Sequence, residues 1–217
     1  IFSFTFVFTQ DLEKPVFLGK FGQNALDIDY EKWELSNGLT ILVHEDHSDP
    51  IVYLGVTYHV GSARERHGKT GYAHFFEHML CMGSEHAPDK GLWNLVEQAG
   101  GMTNASTSYD ETNYFQVFPS NYLERIMFLE SDRMGYAYNE FNMEAFEAQR
   151  GAIKNEKIER CHTPLSFLMI LEKLFVDFFP PTHPYNWPII GYVEDLDRAT
   201  LDDMRDWLKR WYGPNNA

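Results

Sequence analysis

The chain has 217 residues and a formal net charge of −14, from 18 Lys+Arg against 32 Asp+Glu. With 44% hydrophobic and 16% aromatic residues it can build a core, which argues against wholesale disorder and suits one ample domain or two small ones. No basic run offsets the acidity, so a nucleic-acid partner is a poor fit; two cysteines, Cys81 and Cys161, cannot make a disulfide framework, and no stretch reaches the ~18 apolar residues of a spanning helix.

Ile1 to Phe8 (IFSFTFVF) reads either as the tail of a clipped export signal or as an alternating edge strand. The first reading would place the protein in a bacterial periplasm or outside the cell. Residues 1–29 as a whole form an N-terminal extension or lead-in strand without clear period. Asn37-Gly38, flanked by Tyr30 to Leu35 and Leu39 to Val43, predicts a hairpin closed by a type I′ turn. Ile51 to Val60 (IVYLGVTYHV) predicts a central strand. Residues 72–82 are apolar all round, a buried helix ending at Gly83, and Leu92, Leu95 and Val96 mark a short second helix stopped by Gly100-Gly101. Strands over Met102 to Ser108 and Thr112 to Phe118 join through an acidic turn.

Helices follow. Ser120 is the expected N-cap of one through Met134, residues 143–160 form another, Pro164 sits at N1 of a third, and Thr200 with Asp203 approximates a capping box for the last. Strands first and helices after imply an α+β fold, a largely antiparallel sheet packed against helices. Trp211 to Ala217 is a turn sequence, so residues 30–217 read as a domain cut short at this end.

The segment richest in chemistry is His74-Phe75-Phe76-Glu77-His78. On a helix His74 and His78 lie one turn apart, so both imidazoles can share one cation, and Glu77 flanks that face as a carboxylate able to take a proton from water. Either histidine alone is better explained as a satisfied polar residue on a buried helix. Two imidazoles and a carboxylate within about one turn of an apolar helix carry a desolvation cost that a cation would compensate. A catalytic zinc takes three protein ligands and keeps an open position. On the 143–160 helix Phe146, Gln149, Ala152, Ile153, Glu156 and Arg160 share one stripe, and a carboxylate there needs either a cation or an ion pair with Arg160 or Lys157.

Five segments in order, GYAHFFEHMLCMGS, GGMTNASTSYDETNYFQVFP, LESDRMGY, QRGAIKNEKIER and RWYGPNNA, resemble the N-terminal catalytic domain of the M16 metallopeptidases, the pitrilysin, insulysin and mitochondrial-processing-peptidase family. The wording QR…KNE looks most like its bacterial branch. The resemblance spans roughly residues 30–217 and implies the M16 (LuxS/MPP-like) metallohydrolase half-domain fold. It implies that His74, His78 and Glu156 bind one Zn²⁺, that Glu77 is the general base, and that Asn104 and Ala105 hold the backbone of a peptide substrate by strand addition. Some members carry Glu seven residues before the third ligand. Here Gln149 stands there, a neutral group that can still orient a ligand by hydrogen bonding.

The implied function is a zinc endopeptidase (HxxEH, inverzincin) acting on peptides or unfolded segments through metal-activated water. A non-catalytic M16-like scaffold or partner subunit is the alternative, and the four intact positions speak against it. The resemblance also implies a second M16-like half, in the same chain or in a separate subunit. The isolated fragment is therefore expected to be weak or inactive. Cys81 reads as a small core residue, Tyr109 to Tyr114 as a hairpin connection, Arg133 as an ion-pair member, and the histidines outside the motif as surface or capping groups.

Overall fold

In a computed structural model, residues 14–22, 28–137, 141–162 and 166–217 are described, without the side chains at 161, 162, 166, 168, 169 and 171. Ile1 to Phe8, Pro164 and the side chains of Cys161 and His162 thus lie outside the described residues. The chain forms two compact units, Ile1–His47 and Ser48–Ala217.

In the first unit, β1 (Val16–Phe21), β2 (Tyr30–Glu34) and β3 (Thr40–Val43) form an antiparallel sheet in that order. Phe17 packs on Trp33 at 4.8 Å and Phe21 stacks on Tyr30 at 5.4 Å, cross-strand pairs that supply the order the lead-in lacks in its periodicity. The Asn37-Gly38 hairpin forms, but not with the expected type I′ turn. Gly38 N donates to Leu35 O and Leu35 N to Leu39 O, both at 2.9 Å, so the loop has three residues and only Gly38 (φ 88°) is left-handed. Asn37 avoids that region because its Oδ1 accepts from Leu39 N at 3.1 Å, an Asx turn that stabilises the longer loop.

The second unit holds β4 (Ile51–Tyr58), β5 (Met102–Thr107) and β6 (Thr112–Pro119), antiparallel in the order β4-β6-β5. The expectation that Ile51 to Val60 is a central strand is corrected. Among the described residues β4 is an edge and β6 is central, with alternate residues of β6 buried. Enrichment in β-branched and aromatic residues reports a fit to a pleated surface and does not distinguish one neighbour from two. The other edge, β5, has no strand partner beyond β6 among the described residues.

Helices α1 (Tyr72–Leu80), α2 (Gly91–Gln98), α3 (Leu123–Tyr136), α4 (Met143–His162), α5 (Ser166–Asp177), α6 (Val193–Arg198) and α7 (Leu201–Trp211) complete this unit. The capping box of α7 is present: Thr200 Oγ1 accepts from Asp203 N at 3.2 Å and Thr200 N donates to Asp203 Oδ2 at 3.0 Å. Ser120 does not cap α3. It opens a 3₁₀ turn (Ser120–Tyr122) whose backbone is tied back to Pro50 O at 2.9 Å, so the helix starts one turn late.

The core gathers around α1, where Phe75, Phe76, Met79 and Leu80 are fully buried. Phe75 stacks on Phe146 of α4 at 4.9 Å, and Phe76 packs at 4.2 Å on Tyr212, whose ring also lies 4.2 Å from Tyr58 of β4. The turn after α7 is therefore part of the floor under α1. Arg133 pairs with Glu130 inside this region and sits 4.1 Å over the Tyr114 ring, so the ion-pair reading of Arg133 holds.

Candidate metal centre and its cleft

The loop before α1 is fastened at several points. Gly71 N and Ala73 N donate to the two carboxylate oxygens of Glu65 at 2.9 and 2.7 Å, so a side chain six residues upstream of Gly71 fills the role of a cap that Gly71 itself cannot. Thr70 N and Oγ1 donate to Asp195 of α6 at 3.0 and 2.7 Å. Gly71 (φ 81°) and Gly191 (φ 78°) let the two backbones touch, since a Cβ at Gly191 would lie 2.5 Å from Gly71 Cα. Burial pushes the Glu65 carboxyl up to about 8, opposed by the N–H groups it accepts from.

The first turn of α1, so fixed, carries His74, and the next carries His78. On α4, Phe146 and Ile153 are buried against the core, and the same stripe brings Gln149 and Glu156 to the histidines, while Ala152 lies exposed at its margin. His74 Nε2 and His78 Nε2 are 3.3 Å apart, and Glu156 Oε2 lies 3.6 Å from the first and 3.4 Å from the second. A tetrahedral zinc with bonds of about 2.0–2.2 Å has ligand atoms about 3.3–3.6 Å apart, because a tetrahedral edge is about 1.6 bond lengths. The three atoms thus form one face of such a tetrahedron, and the donor set fits zinc. Among the described residues this is the only group of three or more such side chains able to hold a metal ion.

The ion pair of Glu156 with Arg160 forms, and it leaves the other carboxylate oxygen toward the histidines. Glu156 Oε2 faces the two rings, and its Oε1 accepts from Arg160 one turn further on. Burial raises its pKa, but the His78 hydrogen bond and the charges of His74 and Arg160 outweigh that and bring it down to about 2. Burial and the neighbouring His78 push His74 down to about 4. Gln149 Oε1 lies 3.2 Å from His78 Nδ1, and its amide nitrogen is turned to Met82 Sδ. That orientation makes Oε1 the acceptor for Nδ1–H and leaves the Nε2 lone pair of His78 facing Glu156 and His74. His74 Nδ1 is buried without a hydrogen-bond partner among the described residues.

Glu77 is buried beside this triangle. Its Oε2 accepts from Thr107 Oγ1 at 2.5 Å, and burial pushes its pKa up against that bond. Thr107 ends β5, so the carboxylate is tied to the open sheet edge, where Asn104 and Ala105 lie with Asn104 Oδ1 accepting from Ala105 N at 2.9 Å. All these side chains line one cleft of about 1310 Å³. Cys81 packs against the core, with burial pushing its thiol up to about 12, and it is not among the metal-capable group. Tyr109 stands in the hairpin connection as expected, yet it also lines the cleft and stacks on Tyr185 at 4.5 Å. Thr107, Tyr109, Lys90 and Glu65 carry no spacing signal in the sequence, because each is brought to the site by tertiary packing.

Residues 40–177 match the model of the insulinase family, peptidase family M16. The chain belongs to peptidase family M16. Among M16 relatives it is 30% identical over 189 residues to the zinc protease PqqE of Helicobacter pylori, a match covering 87% of this chain and 42% of that protein. The crystal structure of a protease from Helicobacter pylori superposes with a TM-score of 0.78 at 28% identity, covering 87% of this chain and 45% of that one. The first half of the periplasmic protease PqqL from Escherichia coli gives a TM-score of 0.75 at 26% identity over 91% of this chain and 42% of that one. The α+β fold with its antiparallel sheets is thus that of M16 proteases, and this chain spans less than half the length of these relatives.

Proposed function

We propose that the chain is the zinc-binding catalytic half of an M16 endopeptidase, hydrolysing peptide bonds in peptides or unfolded segments. The observation that carries this reading is the triangle of His74 Nε2, His78 Nε2 and Glu156 Oε2, with edges of 3.3, 3.4 and 3.6 Å. Those three residues would hold the ion. When bound, zinc supplies a Lewis acid that acidifies water and polarises a carbonyl. Glu77 takes the proton of the attacking water on a carboxylate oxygen and returns it to the leaving amine nitrogen; its raised pKa suits both transfers, and the Thr107 hydroxyl fixes its position.

Asn104 and Ala105 would pair with the substrate backbone along the free edge of β5, and Gln149 orients His78. The relatives' greater length supports a companion M16-like half that closes over the substrate and supplies further positioning groups.

Two variants test the assignment. Glu77→Gln retains zinc and loses peptide hydrolysis by about 10²–10⁴-fold, the range of a general base, whereas Glu156→Gln loses zinc itself, read by metal analysis after gel filtration. Native-rate hydrolysis by Glu77→Gln would overturn its role.

A further inference from the structure

Among the described residues two cationic side chains, Lys90 and Arg160, line the cleft. Arg160 is committed to Glu156. The cleft carboxylates are likewise engaged, Glu77 with Thr107, Glu156 with Arg160 and the histidines, and Glu172 Oε1 with Ile189 N at 2.9 Å. The ammonium of Lys90 has no ion pair or hydrogen bond among the described residues, in a chain whose formal charge is −14.

The backbone there is held against its preference. Asp89 (φ 54°) and Lys90 (φ 59°) are the only non-glycine residues with positive φ among the described residues. In that region Cβ crowds the following carbonyl, a conformation glycine adopts without strain. Two bonds pin it: Lys90 N donates to Met82 O at 2.8 Å, and Asn94 Nδ2 to Asp89 O at 2.9 Å. The chain thus fixes a lysine where a small residue fits more easily, and successive strained residues beside a cleft mark a functional position. Lys90 and Trp93 share with Asn104 a second, smaller cavity that adjoins the cleft at the Thr103 end of β5. At about 3.3 Å per residue Asn104, which lines both, lies about 10 Å along β5 from Thr107, the partner of Glu77.

We propose that Lys90 is a specificity-determining residue that pairs with an acidic side chain of the bound peptide, placed within about three residues of the scissile bond. This rests on the peptidase reading above and adds a substrate class to it, peptides bearing Asp or Glu near the cleavage site.

The test uses the zinc-loaded, full-length protein and a peptide series in which Glu, Gln or Lys occupies each position within three residues of the cleaved bond. At one position Glu is expected to exceed Lys by about 10-fold or more in kcat/KM, chiefly through KM. Lys90→Met brings the Glu and Gln peptides to parity there, and Lys90→Glu inverts the preference toward Lys. The same peptides, fluorescently labelled, are compared by binding anisotropy, which needs no turnover. Binding that favours Glu over Lys and depends on Lys90, without hydrolysis, defeats the peptidase reading and upholds the Lys90 assignment. Equal treatment of the three series in both measurements, or a Glu preference that survives Lys90→Met, overturns it.

Discussion

Gln149 contributes an acceptor without a charge. A carboxylate at that place would add a third negative group beside Glu77 and Glu156 and make the His78 ring more basic, whereas the amide offers His78 Nδ1 an acceptor without adding charge. Gln149→Leu keeps much of the side-chain bulk and removes the acceptor for Nδ1–H. Zinc affinity is expected to fall about 10–100-fold, the range for loss of such a supporting bond, measured by competition against a chromophoric chelator. Unchanged affinity would show that His78 needs no support at Nδ1. The separation of Gln149 from Glu156 by seven residues, two turns of one helix, is why both could be placed on one face from sequence periodicity. Thr107 could not be. Its hydroxyl meets Glu77 only because β5 runs past α1, and nothing in the local pattern of either segment encodes that crossing.

Helix α1 presents the same lesson at the level of elements. Its apolar surround made it legible as a buried helix, but its start is set by a carboxylate outside it, because Gly71 offers no side chain to accept the first amides. Glu65→Ala leaves the N–H groups of Gly71 and Ala73 buried and unpaired, at a cost of about 1–3 kcal/mol, and Glu65→Gln, which keeps an acceptor, costs less. Urea unfolding measures both. Because His74 sits in the turn that frays, Glu65→Ala also weakens zinc binding, and a variant destabilised with unaltered zinc affinity would separate the cap from the metal centre. The hairpins, α1, the β5–β6 pair and the α7 capping box follow from local chemistry. What did not follow is pairing order. Whether β4 has one neighbour or two depends on where β6 goes, and the start of α3 depends on a bond from Ser120 to Pro50, just before β4 and about seventy residues earlier in the chain.

For the molecule as a whole, a metal ion held by His74, His78 and Glu156 would be a staple between elements remote in sequence, two of these residues lying on α1 and one on α4. Neither helix buries these groups with enough partners of its own: His74 is 7% exposed, and its protonation is disfavoured by burial. A cation that binds the folded arrangement and not the open chain stabilises it by mass action, about 2.7 kcal/mol when free zinc stands at 100 times its Kd. For a protein of this size that corresponds to a rise of roughly 5–11 °C in Tm. Adding a strong chelator should therefore lower the melting temperature of the Ser48–Ala217 unit by that amount, followed by near-UV circular dichroism and restored by zinc. Glu77→Gln, which removes no ligand, should keep the full shift, while Glu156→Gln should lose most of it. If the chelator leaves the wild-type transition in place, the triangle of His74, His78 and Glu156 does not hold a metal that matters to the fold, and the peptidase reading loses its support along with it.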